Sequence, residues 1–252
     1  IAIKASISAN NEGTIKLTGK DSVALFSKKS ISNQGSIEVG ENSIAQYTVF
    51  DTSSSDNKNK NERTITLGKS STGIRMNRDY NNIGGLTVNS GTGKILSTAE
   101  KVTGIIAYTV DKRHIAEDSN DFSIESYGEI NLLGDKSTGI YVAGKGPTEM
   151  DNNGKIIIGA SSDRNNPSIG MYTKYGNINH QGTINGGNNV IGILSDTPYA
   201  VNNNGTISFG DGTIGIYKKQ GSTTLTSGSS ITVGNGAIGV VSNNGSHIEN
   251  NS

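Results

Sequence analysis

The side chains best suited to chemistry lie in the charged run DKRHIAEDSND at residues 111–121. Its first four positions combine a carboxylate, an ammonium, a guanidinium and an imidazole, which bind polar ligands through charge-assisted hydrogen bonds. A second polar segment one repeat earlier adds a carboxylate and a phenol. The candidate ligand-binding residues are Asp111, Lys112, Arg113, His114, Asp79 and Tyr80.

The same carboxylates would serve catalysis if Asp79 and Asp111 met across a groove, as acidic pairs do in glycan-cleaving enzymes. Acids do not recur in one outward column, however, and no G-x-S-x-G elbow, phosphate-binding loop, H-E-x-x-H or calcium nonapeptide occurs. We therefore expect a chain that is not an enzyme and that needs no metal or cofactor. A glycan lyase or hydrolase is the weakest alternative.

Composition argues against several other classes of function. The 252 residues include 22 basic and 22 acidic side chains, so the formal net charge is zero and no nucleic-acid partner is expected. No run of 18 apolar residues occurs, and we expect no membrane insertion by this segment. The absence of cysteine excludes disulfides, and the absence of tryptophan indicates a thin core.

Internal repetition predicts the elements that position the candidate residues. The phrase N-x-G-x-I-x-L-G, a short turn and S-x-G-I-Y recur along the chain. The alternate spacing is a strand pattern, and so short a unit buries its apolar face only by stacking. The sequence predicts an all-β parallel β-helix (β-solenoid), right-handed, of about nine coils with three short strands each. The first Ile of the phrase recurs as Ile15, Ile37, Ile65, Ile95, Ile130, Ile156, Ile184, Ile207 and Ile231.

Three further columns keep step with these isoleucines. Glycines at strand ends, such as Gly40, Gly68 and Gly134, are expected to adopt positive φ in sharp turns. A small residue recurs in the second half of the phrase, and an aromatic column follows two residues later. Because Ile214 and Ile216 flank the small residue and are expected to point inward, this column should lie outside. We expect it to stabilise the stack, with binding of sugar rings as the alternative. Its members are Phe26, Tyr47, Arg75, Ile106, Tyr141, Tyr172, Leu194, Tyr217 and Val241.

An asparagine column two residues before the first Gly of the phrase is interpreted as a structural ladder at a coil corner. His180 occupies one of its positions and is interpreted as a ladder member rather than a ligand. An apolar column, which ends with Leu225, precedes the asparagines by two residues. The ladder is predicted to contain Asn11, Asn33, Asn61, Asn152, Asn203 and Asn250, with Ser126, His180 and Ser227 as substitutes.

The return segment of the repeat is lengthened in four consecutive coils. Insertions at one corner of adjacent coils emerge side by side, which predicts a ridge of loops. Loops on a rigid scaffold often carry binding, although the polar run SSSDNKNKN is also typical of a tolerated, disordered tip. We expect one β-helix segment over 1–252, with loop-bearing coils at about 40–150 and more regular coils at about 151–252. The ridge comprises residues 51–63, 77–89, 111–121 and 142–148.

The phrases NNGTISFGDGTIGIY (203–217) and YGEINLLGDKSTGIY (127–141) resemble the repeats of large type V autotransporter adhesins, especially those of fusobacteria. This resemblance implies a right-handed β-helix passenger segment, displayed at the bacterial cell surface. It also implies attachment to host cells or other bacteria through a surface protein or glycan. We expect a monomer that attaches through the ridge, with a passive stalk as the alternative. The resembling motif is scaffold and transfers no site residue.

Overall fold

The fold was examined in a computed structural model, which describes residues 1–50, 57–78, 85–109, 122–144, 148–244 and 247–252. The regular secondary structure of these residues is entirely β-strand. The strands form three parallel sheets that stack as a β-solenoid with three strands per coil, which confirms the predicted fold class. We name them sheets A, B and C.

Each sheet contains one strand from every coil. Sheet A contains β1 (Ile3–Ala5), β4 (Val23–Ser27), β7 (Ile44–Phe50), β10 (Thr72–Arg78), β13 (Thr103–Thr109), β16 (Thr138–Gly144), β19 (Ser168–Thr173), β22 (Val190–Ser195), β25 (Ile214–Lys218) and β28 (Ile238–Ser242). Sheet B contains β2 (Ser8–Asn11), β5 (Ser30–Asn33), β8 (Lys58–Asn61), β11 (Gly85–Asn89), β14 (Phe122–Ser126), β17 (Thr148–Asn152), β20 (Asn177–His180), β23 (Val201–Asn203), β26 (Ser222–Leu225) and β29 (His247–Asn250). Sheet C contains β3 (Thr14–Leu17), β6 (Ser36–Val39), β9 (Thr64–Leu67), β12 (Lys94–Ser97), β15 (Glu129–Leu132), β18 (Lys155–Ile158), β21 (Thr183–Gly186), β24 (Thr206–Ser208) and β27 (Ser230–Thr232).

We count a coil as one strand from C, then A, then B, so that coil 1 is β3, β4 and β5 and coil 9 is β27, β28 and β29. Strands β1 and β2 precede coil 1. The corners are named A–B, B–C and C–A by the strands that they join. With about 4.8 Å between neighbouring strands, the nine coils span roughly 40 Å along the rod axis.

The isoleucine column forms the centre of the core. Its members pair directly from coil to coil in sheet C, as Ile37 does with Ile65 and Ile130 with Ile156. Their side chains are essentially inaccessible to solvent in coils 2 to 8. The predicted period-two pattern therefore corresponds to one inward face, and stacking buries it as expected.

The column of small residues is required by close packing in the interior. A Cβ on Gly139 would lie 2.5 Å from the carbonyl oxygen of Gly170 and 3.0 Å from Cγ2 of Ile156. Strand alternation breaks at this point, since Gly215 and Ile216 are both buried while Ile214 is half-buried on the outer face. The expectation that Ile214 points inward is therefore wrong.

The glycines at strand ends also have a different role from the predicted one. Gly40, Gly68 and Gly134 do not have positive φ; the left-handed residues come two positions later in each turn. A Cβ on Gly40 would lie only 2.5 Å from the carbonyl oxygen of Gly19 in the preceding coil. Glycine is needed here because backbone stacks on backbone. The left-handed positions that follow these three glycines are Asn42 (φ 54°), Ser70 (φ 56°) and Lys136 (φ 57°).

Candidate functional site

The six candidate ligand-binding residues fall in parts of the chain outside the described residues. They are Asp79, Tyr80, Asp111, Lys112, Arg113 and His114. The strands that flank them are described, and they are neighbours: β10 pairs with β13 in sheet A, and β11 pairs with β14 in sheet B. The two segments that contain the candidates therefore leave and re-enter the scaffold at adjacent positions.

All four lengthened segments leave and re-enter the scaffold at adjacent positions. Their preceding strands β7, β10, β13 and β16 are consecutive in sheet A, and their following strands β8, β11, β14 and β17 are consecutive in sheet B. At the strand ends, Arg78 pairs with both Phe50 and Thr109, and Thr109 pairs with Gly144. The four segments therefore share the A–B corner of coils 2 to 5, which we call the ridge corner.

In coils 6 and 7 the A–B corner is closed by compact turns. Thr173 accepts a hydrogen bond from the backbone N–H of Tyr175 at 3.0 Å. The rings of Tyr175 and Tyr199 lie 5.0 Å apart, and the Tyr199 hydroxyl donates to that of Tyr175 at 2.9 Å. Coils 6 and 7 therefore show how the A–B corner is closed without an insertion.

The aromatic column lies on the outer face of sheet A, as predicted. Tyr141 and Tyr172 pair in register and stack with ring centroids 4.9 Å apart, and Lys174 lies over the Tyr172 ring. In coils 2 and 3, the Arg75 guanidinium covers the Tyr47 ring at 5.3 Å. The ring faces that take part in these contacts are covered by neighbouring side chains and are not free to stack on a sugar. The geometry fits the expected stabilising role.

The asparagine ladder runs along the inner side of sheet B at its B–C end. Asn11, Asn33 and Asn61 each donate from Nδ2 to Oδ1 of the next asparagine, at 2.8, 2.9 and 3.0 Å. The third acceptor is Asn89, which sequence reasoning missed. In coil 8 the ladder position belongs to Leu225 rather than Ser227, because Leu225 pairs with Asn203.

Both errors have one cause. The corners after Asn89 and Leu225 contain two more residues than the others, so counting back from the glycine column misplaced the ladder by two positions. The error also assigned Leu225 to the apolar column, where Thr223 lies instead. The correct ladder position in this coil follows from the strand pattern, in which Thr87 and Asn89 point inward and Val88 between them points outward.

His180 is a ladder member, as the sequence indicated. Its side chain is fully buried; Nδ1 lies 3.1 Å from Nδ2 of Asn152, and Nε2 lies 3.3 Å from the carbonyl oxygen of Thr206. Since the amide donates to Nδ1, the proton of the neutral ring is on Nε2. Burial lowers the pKa of the imidazole from 6.5 to about 4, so His180 carries no charge near neutral pH.

Lys218 is a buried cation that the sequence analysis did not identify. Its Nζ donates to Oγ of Ser195 at 2.9 Å, to the carbonyl oxygen of Thr197 at 2.6 Å and to that of Tyr199. Burial lowers the pKa of its ammonium to about 8. All three N–H groups are satisfied by neutral oxygens, so Lys218 fastens the A–B turn of coil 7 to coil 8.

Among the grooves at the B–C corner, one lies beside the longer turn after Asn89 and another beside the longer turn after Leu225. The N-terminal groove, of about 390 Å³, is lined by Glu12, Gln34, Glu62, Arg63 and Thr92. The C-terminal groove, of about 380 Å³, is lined by Asn179, His180, Gln181, Asn202, Asn204, Thr226 and Ser227. Both lie at a corner where the sequence predicted only a structural ladder.

The N-terminal groove is charged. The Glu62 carboxylate accepts hydrogen bonds from Lys60 at 2.8 Å and Gln34 at 3.1 Å, and the bond from Lys60 is the main cause of a lowered pKa for this carboxyl. Arg63 stands where every other coil except the last has glycine, and it is exposed. The groove is lined by two carboxylates, Glu12 and Glu62, and by the guanidinium of Arg63. Because both signs of charge are present, the groove favours neither anionic nor cationic ligands.

Comparison with protein-family models, with curated proteins and with solved structures finds no match to this chain. Within the described ranges, no cluster of three or more His, Asp or Glu side chains is placed to hold a metal ion. The described residues also contain no helix of the length and hydrophobicity needed to cross a membrane.

Proposed function

We propose that this chain is a segment of a bacterial surface adhesin, and that it attaches to a host-cell or bacterial surface protein or glycan through the ridge corner of coils 2 to 5. The observation that carries the proposal is that insertions in four consecutive coils share one corner. Adjacent coils hold the strand ends about 4.8 Å apart, so the four segments start from one preorganised surface. In this proposal the chain binds and does not catalyse.

The repeat phrases that resemble type V autotransporter adhesins support display at the cell surface. The composition is compatible with that location, because a chain without cysteine is not trapped by disulfides during export. A rigid rod that acts as a monomer is enough for this role, since each coil is supported by its own neighbours.

The test replaces the ridge by the compact corner of coil 6. Strand pairing aligns the three-residue turn Lys-Tyr-Gly at 174–176 with a longer segment in each ridge coil. These segments are residues 49–57, 77–85, 108–122 and 143–148. With all four replaced, we expect a folded rod, judged by its circular dichroism and cooperative unfolding, that no longer attaches to epithelial cells or partner bacteria.

A matched control shortens a different corner. Residues 159–168 at the C–A corner of coil 6 are replaced by residues 133–137 of coil 5, which span the same corner. This variant should attach as well as the parent chain. If the ridge variant also attaches normally, or if the parent chain does not attach at all, the ridge proposal is wrong.

The second candidate is a passive stalk that presents a binding region elsewhere in a longer protein. It is favoured by the stabilising roles of the recurring polar and aromatic side chains described above. A parent chain that fails to attach in the same assay would support it.

A further inference from the structure

The outer surface beside the C-terminal groove carries two parallel rows of polar side chains, which are all amides except Asp151. The first row lies on sheet B, where Asp151, Asn179 and Asn202 pair in register. Asn179 donates from Nδ2 to Oδ1 of Asp151 at 2.8 Å, and Asn202 donates to Oδ1 of Asn179 at 2.9 Å. These side chains hold one another in place, so the first row forms an ordered polar floor.

The second row lies at the adjoining B–C corner and contains Asn153, Gln181 and Asn204. Backbone hydrogen bonds keep the row in register: Gln181 N–H donates to the carbonyl of Asn152 at 2.8 Å, and Asn204 N–H donates to that of His180 at 2.7 Å. Within the described part of the chain, the three side-chain amides have no hydrogen-bond partner. Each offers two donors and one acceptor to a ligand.

The longer corner of coil 8 forms one wall of the groove. Its turn is closed by a hydrogen bond from Ser229 N–H to the carbonyl of Thr226 at 3.0 Å, and Thr226 Oγ1 donates to the carbonyl of Asn203 at 3.2 Å. The hydroxyl of Ser227 is exposed at the same turn. By contrast, the corner after Asn203 has only two residues before β24 begins.

The groove is polar and uncharged. Its lining contains amide and hydroxyl groups and no Asp, Glu, Lys or Arg. The one titratable lining residue, His180, is neutral because its ring is buried in the ladder. An anionic ligand would find no opposite charge in this lining, and an apolar ligand would leave the amides without partners, which costs free energy. The carboxylate of Asp151 lies outside the lining and already accepts a hydrogen bond from Asn179.

We propose that the C-terminal groove binds a neutral saccharide chain. Sugar hydroxyls donate and accept hydrogen bonds, as amides and hydroxyls do, so the two surfaces complement each other without charge. The free amides repeat at about 4.8 Å along the rod, close to the length of one hexose in an extended chain, so successive sugars meet successive coils. The site lies at a different corner from the ridge and is independent of the function proposed above.

Saturation-transfer NMR on the full chain tests this proposal with maltohexaose, cellohexaose and hexa-N-acetylchitohexaose as probes and hexagalacturonate as the acidic comparison. We expect saturable binding of at least one neutral probe and none of hexagalacturonate. The double variant Gln181→Leu, Asn204→Leu should bind the neutral probe at least about tenfold more weakly than the parent chain, because it loses the hydrogen bonds from these two amides to the sugar. Both side chains are exposed, so the substitutions should not disturb the core.

A second pair of variants tests the groove rather than single amides. Replacing Thr226–Ser229 by Asn-Gly, as in coil 7, should weaken binding of the neutral probe. The matched change of Ser90–Gly93 to Gln-Gly, beside the N-terminal groove, should leave it unaltered. The proposal is overturned if no neutral probe binds, if hexagalacturonate binds equally well, or if the C-terminal variants, shown to be folded, bind like the parent.

Discussion

The two halves of the asparagine ladder differ in continuity. From Asn11 to Asn89 four amides follow one another, and each donor meets the next acceptor. In coils 4 to 8 the same positions hold Ser, Asn, His, Asn and Leu, and the described structure leaves three buried atoms there without a partner. They are Oγ of Ser126, Oδ1 of Asn152 and Nδ2 of Asn203. A ladder of identical side chains satisfies itself, whereas the Ser126 and Leu225 substitutions leave the facing atoms of Asn152 and Asn203 without partners.

The largest effect is expected from interrupting the continuous half. In Asn61→Leu, Nδ2 of Asn33 loses its acceptor and Oδ1 of Asn89 loses its donor, and both atoms are buried. We expect a loss of about 4 kcal/mol in the free energy of unfolding, measured by urea denaturation, since each unsatisfied group costs 1–3 kcal/mol.

The control for this variant is Lys58→Leu, at an exposed position of the same strand, which should change stability by less than about 1 kcal/mol. Equal stability of Asn61→Leu and the parent chain would show that the ladder hydrogen bonds contribute nothing net.

An acid-dependent difference is expected from the interrupted half. The folded-state pKa of His180 is about 4 and its ordinary value is 6.5, so between these pH values the unfolded chain binds more protons than the folded chain. The free energy of unfolding therefore falls as the pH drops from 6.5 to about 4, and the total loss over this interval is about 3 kcal/mol. His180→Asn should remove this loss, as seen in the difference between the two pH profiles of unfolding free energy.

His247, whose side chain is exposed near the C-terminus, provides the matched histidine control. His247→Asn should keep the acid-dependent loss of the parent. If His180→Asn loses stability with pH as steeply as the parent does, the buried imidazole is not its source.

The smallest expected effect is a gain. Ser126→Asn would restore the ladder between Asn89 and Asn152, because the new Nδ2 reaches the unpartnered Oδ1 of Asn152. We expect about 1 kcal/mol of added stability in urea denaturation. Ser126→Ala is the control, because it removes the unpartnered hydroxyl without bridging the two amides; Ser126→Asn should be more stable than Ser126→Ala. A destabilised Ser126→Asn variant would mean that the position is too small for the amide.

The fold was predictable because a solenoid repeats one local rule. The period-two pattern around Ile37 and Ile65 predicts a strand, and the unbroken register of nine isoleucines predicts the stack. The right-handed sense stays a prediction. Ile214 was misplaced because alternation breaks at the small residue beside it, which only the packing of that glycine against its neighbours reveals.

The candidate sites were less predictable. The sequence locates the ridge from its lengthened segments, but the six chosen residues lie outside the described parts of the chain. The C-terminal groove was missed because its amides lie beside the ladder residues, and the ladder alone was predicted at that corner. Gln181 and Asn204 directly follow the ladder residues that end β20 and β23, and they are exposed where the ladder residues are buried.

Parallel pairing also determines how this rod responds to tension. The backbone hydrogen bonds between coils run along the rod axis, so a pull along that axis loads one layer of bonds after another. Each coil contributes only about 4.8 Å to the length of the rod. The 28 residues from Ile156 to Thr183 form one such coil and would extend to roughly 95 Å once peeled away. Under load, the molecule therefore lengthens in large discrete steps while the coils that remain keep their shape.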